Sequence, residues 1–276
     1  MPTLIYCALV LFFVRESPRW LLIKGRKEEA VENLKNIATL HQSSLTLSFF
    51  GEEEAPHVND LDVYSALKIL VAKTWALHRL VGVTIMSTCI GVVYYGMPLA
   101  LANLPFNLYL SCTLNALSEL PASFITFVLI DKLNRKCSLI GLTIMSGIHS
   151  VLVAIVQDFY HGRLMMGLQI GLEIISFLSA CAAVDIMLIY TIELFPTCVR
   201  NSAVFMVRKA LVSGAIFSSP LVAAGSTSPF LTFGVFGLVI GVSGLFACGL
   251  PETRGVALSD TMEEEEDKEK ARLAVV

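Results

Sequence analysis

Six apolar runs of about twenty residues constrain this chain more than any other feature. They fall at Leu80 to Leu101, Leu108 to Ile130, Cys137 to Val156, Leu164 to Tyr190, Val204 to Ala224 and Phe230 to Leu250. Each is long enough to cross a hydrocarbon layer about 30 Å thick as a helix. Only 16% of the 276 residues are charged, against about 25% in a soluble domain, and the mean hydropathy is +0.71. The expected fold class is therefore an all-α, polytopic membrane protein. A seventh run, Pro2 to Val14, holds 13 residues, or ~20 Å of helix. It lacks the basic flank and cleavage site of a signal peptide, so it reads as the tail of a longer membrane helix.

The basic residues orient the spans. Residues 15–79, 131–136 and 191–209 and the tail after 250 carry nine, three, three and four Lys or Arg, which leaves only Arg163 of the 20 elsewhere. By the positive-inside rule all four segments are cytoplasmic, and the six spans begin and end inside. The expected organisation is a helix tail at 1–14, a cytoplasmic linker at 15–79, a six-helix bundle at 80–250 and a cytoplasmic tail at 251–276.

Within the linker, Arg26 to Leu40 has an apolar stripe of Ala30, Leu34, Ile37 and Ala38 opposite Lys27, Glu28, Glu29 and Glu32, the pattern of an amphipathic helix. A second such helix is expected near Asp62 to Lys73, after a loop at 42–60. The tail runs from the acidic Glu263 to Asp267 into Lys268, Lys270 and Arg272, a pattern read as a solvated end. The last span carries Gly234, Gly237, Gly241 and Gly244; small residues let membrane helices approach closely, and packing inside the bundle is the expected use.

Short charged motifs stand where helices leave the membrane. Glu16-Ser17-Pro18-Arg19-Trp20 follows the first short run, and Pro251-Glu252-Thr253-Arg254-Gly255 follows the last span. The two make a weak internal repeat, as secondary transporters often show. Between them come Asp131 to Lys136, with Asp131 and Arg135, and Glu193 to Asn201, with Glu193 and Arg200. Each motif pairs a carboxylate with a cation at a helix end, where charge costs little. Glu16, Arg19, Asp131, Arg135, Glu193, Arg200, Glu252 and Arg254 thus form a candidate inner-gate network, with a static set of charge pairs as the other reading.

ESPRWLLIKGR at 16–26, NLYL at 107–110 followed by SELPA at 118–122, ELFPTCVRN at 193–201 and the closing PETRG occur in an order and on a face that resemble the major facilitator superfamily. The chain is most similar to its organic ion branch, solute carrier family 22. ELFPTCVRNSA, LVAAG at 221–225 and LPETRG resemble the plant organic cation/carnitine transporters. The resemblance implies twelve helices in two halves, with this chain matching from the end of the sixth helix onward. The substrate path of such a fold lies between the halves. Asn134 stands where the family's inner turn usually has glycine, and Val212 where its eleventh helix often has a charged residue.

Ionisable residues inside a bilayer are functional candidates, and here they are Glu119, Glu173 and Asp185. The resemblance gives Glu119 a gating or structural role; Asp185 replaces a neutral polar residue and could neutralise a cation or take up a proton. Glu173 lies about 120° around the helix from Asp185 and is expected to face a neighbour or the outer water. Tyr94 matches a family position associated with substrate contact. Tyr94, Tyr95 and, nearer the inner end, Tyr190 could offer aromatic faces to a cation.

The expected function is secondary active transport of organic cations or carnitine-like zwitterions by alternating access, with a proton or Na+ as coupling ion, in the plasma or vacuolar membrane. The alternatives are a truncated membrane fragment that does not transport, and a sugar or polyol porter. No GxxxxGK[ST] phosphate loop occurs, and His149 and His161 stand apart from any catalytic constellation, so no enzyme is expected. Seven scattered cysteines show no metal spacing or disulfide framework. No cofactor, metal or nucleic acid is implied.

Overall fold

The computed structural model describes residues 21, 26–40, 63–101, 108–159, 163–225, 229–256 and 258–275. They divide into two units, at 1–60 and 61–276. In the first, α1 (Lys27–Leu40) forms as its periodicity predicts. Ala30 is buried and Leu34 half-buried, while Glu28, Glu29 and Glu32 face water. Arg26 precedes the helix and pairs with Glu29 at 2.6 Å.

The second unit begins with α2 (Val63–Ala72) and continues through α3 (Thr74–Ala100), α4 (Leu108–Lys132), α5 (Arg135–Phe159), α6 (Arg163–Leu194), α7 (Thr197–Ala224) and α8 (Pro229–Cys248). It closes with α9 (Met262–Val275). Among the described residues, helices α3 to α8 are the six that are long and apolar enough to cross a membrane, and each overlaps one of the six apolar runs. In hydrocarbon every peptide N–H and C=O must be satisfied within the segment, which is why long apolar runs become helices. The chain is a multi-pass membrane protein. The end of the bundle rich in basic residues is called the inner end below.

Several helices overrun their apolar runs at that end. α3 starts at Thr74 rather than Leu80, α6 continues to Leu194, and α7 starts at Thr197 rather than Val204. Hydropathy marks the apolar slab, whereas the helical hydrogen-bond ladder continues until a turn stops it; here Pro196 stands between α6 and α7. The inner motifs therefore sit on helix ends rather than on loose loops.

Burial sorts the helices. In the spanning windows of α3 and α6, 56% and 61% of residues are buried, against 22% for α4 and α7. α3 and α6 thus form the centre. α3 packs on α7, α8 and α6, α5 packs on α8 and α6, and α4 packs on α6. Small residues set two of these crossings. A side chain at Gly214 of α7 would come within 2.5 Å of the Gly91 backbone in α3, and one at Gly147 of α5 within 2.8 Å of the Gly237 carbonyl oxygen in α8. In the α8 stripe Gly237 and Gly244 face α5, as expected of packing inside the bundle, while Gly234 and Gly241 have open space where a side chain would go.

Replacing Gly214 by valine should force α3 and α7 apart. We expect a loss of about 1–3 kcal/mol from overpacking, read as a lower melting temperature in detergent. Gly234→Val, on the open side, should leave it unchanged.

Candidate functional site

Three helices bring the predicted aromatic and acidic residues together. Tyr94 of α3 donates its hydroxyl to Glu119 Oε1 of α4 at 3.0 Å. Its ring stacks on Phe177 of α6, with centroids 5.9 Å apart and planes 14° from parallel. Tyr95 meets the Tyr94 ring edge-on at 5.0 Å. One turn inward on α4, Ser123 donates to Asp185 Oδ2 of α6 at 3.2 Å. Residues 119 and 123 share one face because they are four apart. Pro121 lies between them and has no N–H to give the carbonyl one turn back. Glu119 is exposed, and Tyr94, Tyr95 and Asp185 are half-buried, so both carboxylates remain reachable from one open side of α3, α4 and α6.

Two other residues are held elsewhere. Tyr190 is fully buried, and its hydroxyl donates to the Pro251 carbonyl oxygen at 2.5 Å. It pins the inner end of α6 to the chain leaving α8. Glu173 is also buried and accepts a bond from Asn115 of α4 at 2.9 Å; it faces a neighbouring helix, the first of its two expected positions.

At the inner end, helix termini need partners for four N–H or four C=O groups each, and the charged motifs supply them. Glu252 accepts the backbone N–H groups of Arg135 and Lys136 at 2.9 and 3.2 Å, which caps the positive end of α5. It also accepts those of Thr253 and Arg254 at 3.1 and 3.2 Å. Lys136 Nζ caps the end of α8 through the carbonyl oxygens of Cys248 and Leu250, at 2.6 and 3.0 Å. Arg254 reaches the carbonyl oxygens of Lys132 and Asp131 at the end of α4, at 2.7 and 2.9 Å. Arg135 pairs with Glu193 of α6 at 3.2 Å and donates to the Ile130 carbonyl oxygen. Thr253 completes the group with a 2.6 Å bond to Glu193.

The predicted Arg135, Glu193, Glu252 and Arg254 are thus gathered into one cluster that ties α4, α5, α6 and α8. Asp131 enters through its main-chain oxygen. Arg200 donates Nε–H to the Phe195 carbonyl oxygen at 3.3 Å, five residues back across Pro196. Glu16 and Arg19 lie outside the described residues.

The tail differs from the solvated end read from its charge pattern. Ser259 accepts the Thr197 backbone N–H at 3.0 Å through its carbonyl oxygen, which brings α9 against the inner end of the bundle. Arg79, 2% exposed near the start of α3, pairs with Glu265 at 2.8 Å and Glu269 at 2.5 Å. Its guanidinium also lies 4.8 Å from the centre of the Trp75 ring. Lys73 pairs with Glu266 at 2.6 Å. Nothing in the acidic run identifies these partners, which are nearly two hundred residues away. The one legible signal was Arg79 itself, a cation beside an apolar run, matched by two glutamates four residues apart on one helix face.

The fold defines a polytopic membrane protein with carboxylate and aromatic groups on one open side of α3, α4 and α6. The family described as "Sugar (and other) transporter" matches residues 1–264, and the chain belongs to that family, within the major facilitator superfamily. Organic cation/carnitine transporter 3 of Arabidopsis thaliana is 56% identical over 99% of this chain and 52% of its own length. Organic cation/carnitine transporter 2 of the same plant is 51% identical over 98% of this chain and 53% of its own. Organic cation/carnitine transporter 2 of Homo sapiens is 28% identical over 94% and 46%. The chain spans about half the length of these relatives, corresponding to their C-terminal half.

Two outcomes follow from the inner end. Glu252→Ala removes the acceptor for four backbone N–H groups and should cost about 1–3 kcal/mol, measured as thermal stability; Glu252→Gln should recover part of it. The second concerns pH. The bond from Lys73 holds the Glu266 carboxyl below its ordinary value, and the same bond raises Lys73. The stabilisation of α9 by Glu266 is full above the ordinary glutamate range and is lost as pH falls through the depressed value. That by Lys73 is full below the ordinary lysine value and is lost as pH rises through the raised one. Trp75 emission in a Trp20→Phe background should therefore report release of α9 on the acid side of the glutamate range, and Lys73→Gln should move that release to higher pH.

Proposed function

We propose that this chain is part of a secondary carrier for small organic cations, or for zwitterions such as carnitine that enter ammonium first, working by alternating access. The observation that carries the reading is the Tyr94, Glu119 and Asp185 group on the open side of α3, α4 and α6. An ammonium lacking N–H donors needs aromatic faces and a nearby negative charge rather than directed hydrogen bonds. Cation–π contacts contribute roughly 0.5–2 kcal/mol each, and the two carboxylates add attraction across the partly desolvated space. The names of the plant and human relatives agree with this substrate class.

A sugar or polyol site would instead present free amides. Of the amides that could serve such a site, Asn115 bonds Glu173 and is 2% exposed, Gln169 is 7% exposed, and Asn103 and Asn107 lie outside the described residues. Alternating access needs two bodies that rock about the substrate. The inner cluster ties α4, α5, α6 and α8 into one such body, and we assign its acidic and basic residues to the closed inner gate. A proton or Na+ is the coupling ion in this reading, and the plasma or vacuolar membrane its place.

Uptake of labelled tetraethylammonium and carnitine by cells expressing the protein tests the reading. Asp185→Asn and Glu119→Gln should each lower uptake at sub-saturating substrate by roughly tenfold, the equivalent of about 1.4 kcal/mol. Tyr94→Phe, which keeps the ring, should retain more activity than Tyr94→Ala. Unchanged uptake in Asp185→Asn would remove that residue from the mechanism, and uptake of labelled glucose or mannitol in place of the cations would favour the sugar reading.

A further inference from the structure

Glu173 is an ionisable side chain of the bundle with no part in the open site or the inner network. It is 2% exposed, and its bonded neighbour Asn115 is 2% exposed as well. The helices that pack on α6 to cover it, α4 and α5 among them, belong to this chain, so its burial does not depend on any further segment. Asn115 Nδ2 donates to Glu173 Oε1 at 2.9 Å. Asn115 Oδ1, on the same amide, is buried with no hydrogen-bond partner, as is Nε2 of Gln169, one turn away on the Glu173 face of α6.

Among the described residues, no cation bonds or pairs with this carboxyl. On α4 the neighbouring ionisable groups are the exposed thiol of Cys112, one turn outward, and Glu119, one turn inward and bonded to Tyr94 of α3. On α6 they are Cys181 and Asp185, further inward, and Arg163 at the first residue of the helix, about 15 Å along it from Glu173. The Ser146–Ser176 bond at 3.2 Å sets the register between α5 and α6 and puts His149 at the level of Glu173. His149 Nδ1 is engaged with the Met145 carbonyl oxygen of its own helix at 2.7 Å. The cations of α7 lie nearer the inner end: Lys209 stands about 18 Å along its helix from there, and Glu173 about 30 Å along α6.

A buried carboxylate with one neutral donor and no paired cation carries a desolvation cost that nothing repays. A proton on Oε2 removes the charge. It also supplies the donor that Asn115 Oδ1 lacks, closing the reciprocal two-bond pair of a carboxylic acid and an amide. We propose that Glu173, paired with Asn115, is a proton-binding site, occupied while α4 and α6 stay closed and emptied when they part. The Ser123–Asp185 bond joins the same two helices, so a cation drawn to Asp185 and Glu119 acts on the same seam. Proton binding stands on burial and pairing alone, whereas its coupling to transport rests on the function proposed above.

Infrared difference spectra of the chain in liposomes, wild type minus Glu173→Gln, test the binding. Gln preserves shape and can still pair with Asn115. A carboxylic-acid carbonyl band in the difference, retained in His149→Gln and weakened in Asn115→Leu, is the expected result. Carboxylate bands alone, or an acid band abolished by Na+ at fixed pH, would overturn the proposal in favour of a charged clamp or a sodium site. Cation accumulation by cells expressing the protein tests the coupling. One proton per cation predicts a change of up to about tenfold per unit of pH gradient, absent in Glu173→Gln. An unaltered gradient response in that variant would overturn the coupling. Loss of all uptake by the wild type would overturn the transport reading while the infrared result still decides the proton site.

Discussion

A peptide group in hydrocarbon has no water to bond, and the rest of this structure depends on that constraint. It turns each long apolar run into a helix that satisfies its own backbone. It also moves the difficulty to the helix ends, where N–H and C=O groups remain without intrahelical partners. The inner motifs are the response. Glu252 receives the first N–H groups of α5, Lys136 the last carbonyls of α8, and Arg254 those of α4. Charges that read as a gate in the sequence are first of all caps. Because each cap comes from outside the helix it closes, Lys136 from α5 and Glu252 and Arg254 from the segment after α8, satisfying the ends also ties the helices together.

The same constraint explains where the remaining polar side chains go. α3 and α6 lie at the centre, and their polar residues find partners on α4, α5 and α7: Ser87 on the Val207 carbonyl oxygen, Ser176 on Ser146, Asp185 with Ser123. The Tyr94 and Glu119 pair sits on the open side of that centre, with Glu119 exposed and Tyr94 half-buried. Burial of Arg79 follows a related logic. A guanidinium beside the apolar layer is tolerated when it is paired, and α9 supplies Glu265 and Glu269. The acidic tail is thereby part of the folded inner face.

Much of the fold was legible because its determinants are local. Span number, the amphipathic helices at the linker and the glycine packing face all follow from residues within one or two turns of each other. Boundaries were less legible, since the apolar run ends at Tyr190 while α6 continues to Leu194. Four of the site residues, Tyr94, Tyr95, Glu119 and Asp185, were visible as unusual types at membrane depth. Their grouping was not, because Tyr94 meets Glu119 across two helices, and the stacking of Tyr94 on Phe177 could not be inferred from a phenylalanine among many. Tyr190 shared the residue type of Tyr94 but points to Pro251.

The sequence by itself determined that the described residues hold six helices long and apolar enough to cross a membrane, and that most of its lysines and arginines lie outside those spans. Both are properties of short windows: a helix saturates its own backbone, and each span contributes its transfer free energy separately. Tertiary structure alone decided which polar groups meet. Arg135 with Glu193, Arg79 with Glu265 and Asn115 with Glu173 are 58, 186 and 58 residues apart, and such pairs form only once helix packing has fixed depth and rotation together. A one-residue turn of a helix moves a side chain by about 100°, enough to exchange a partner for lipid. The pattern of residue types therefore identified the parts of the site, and the crossing of α3, α4 and α6 assembled them.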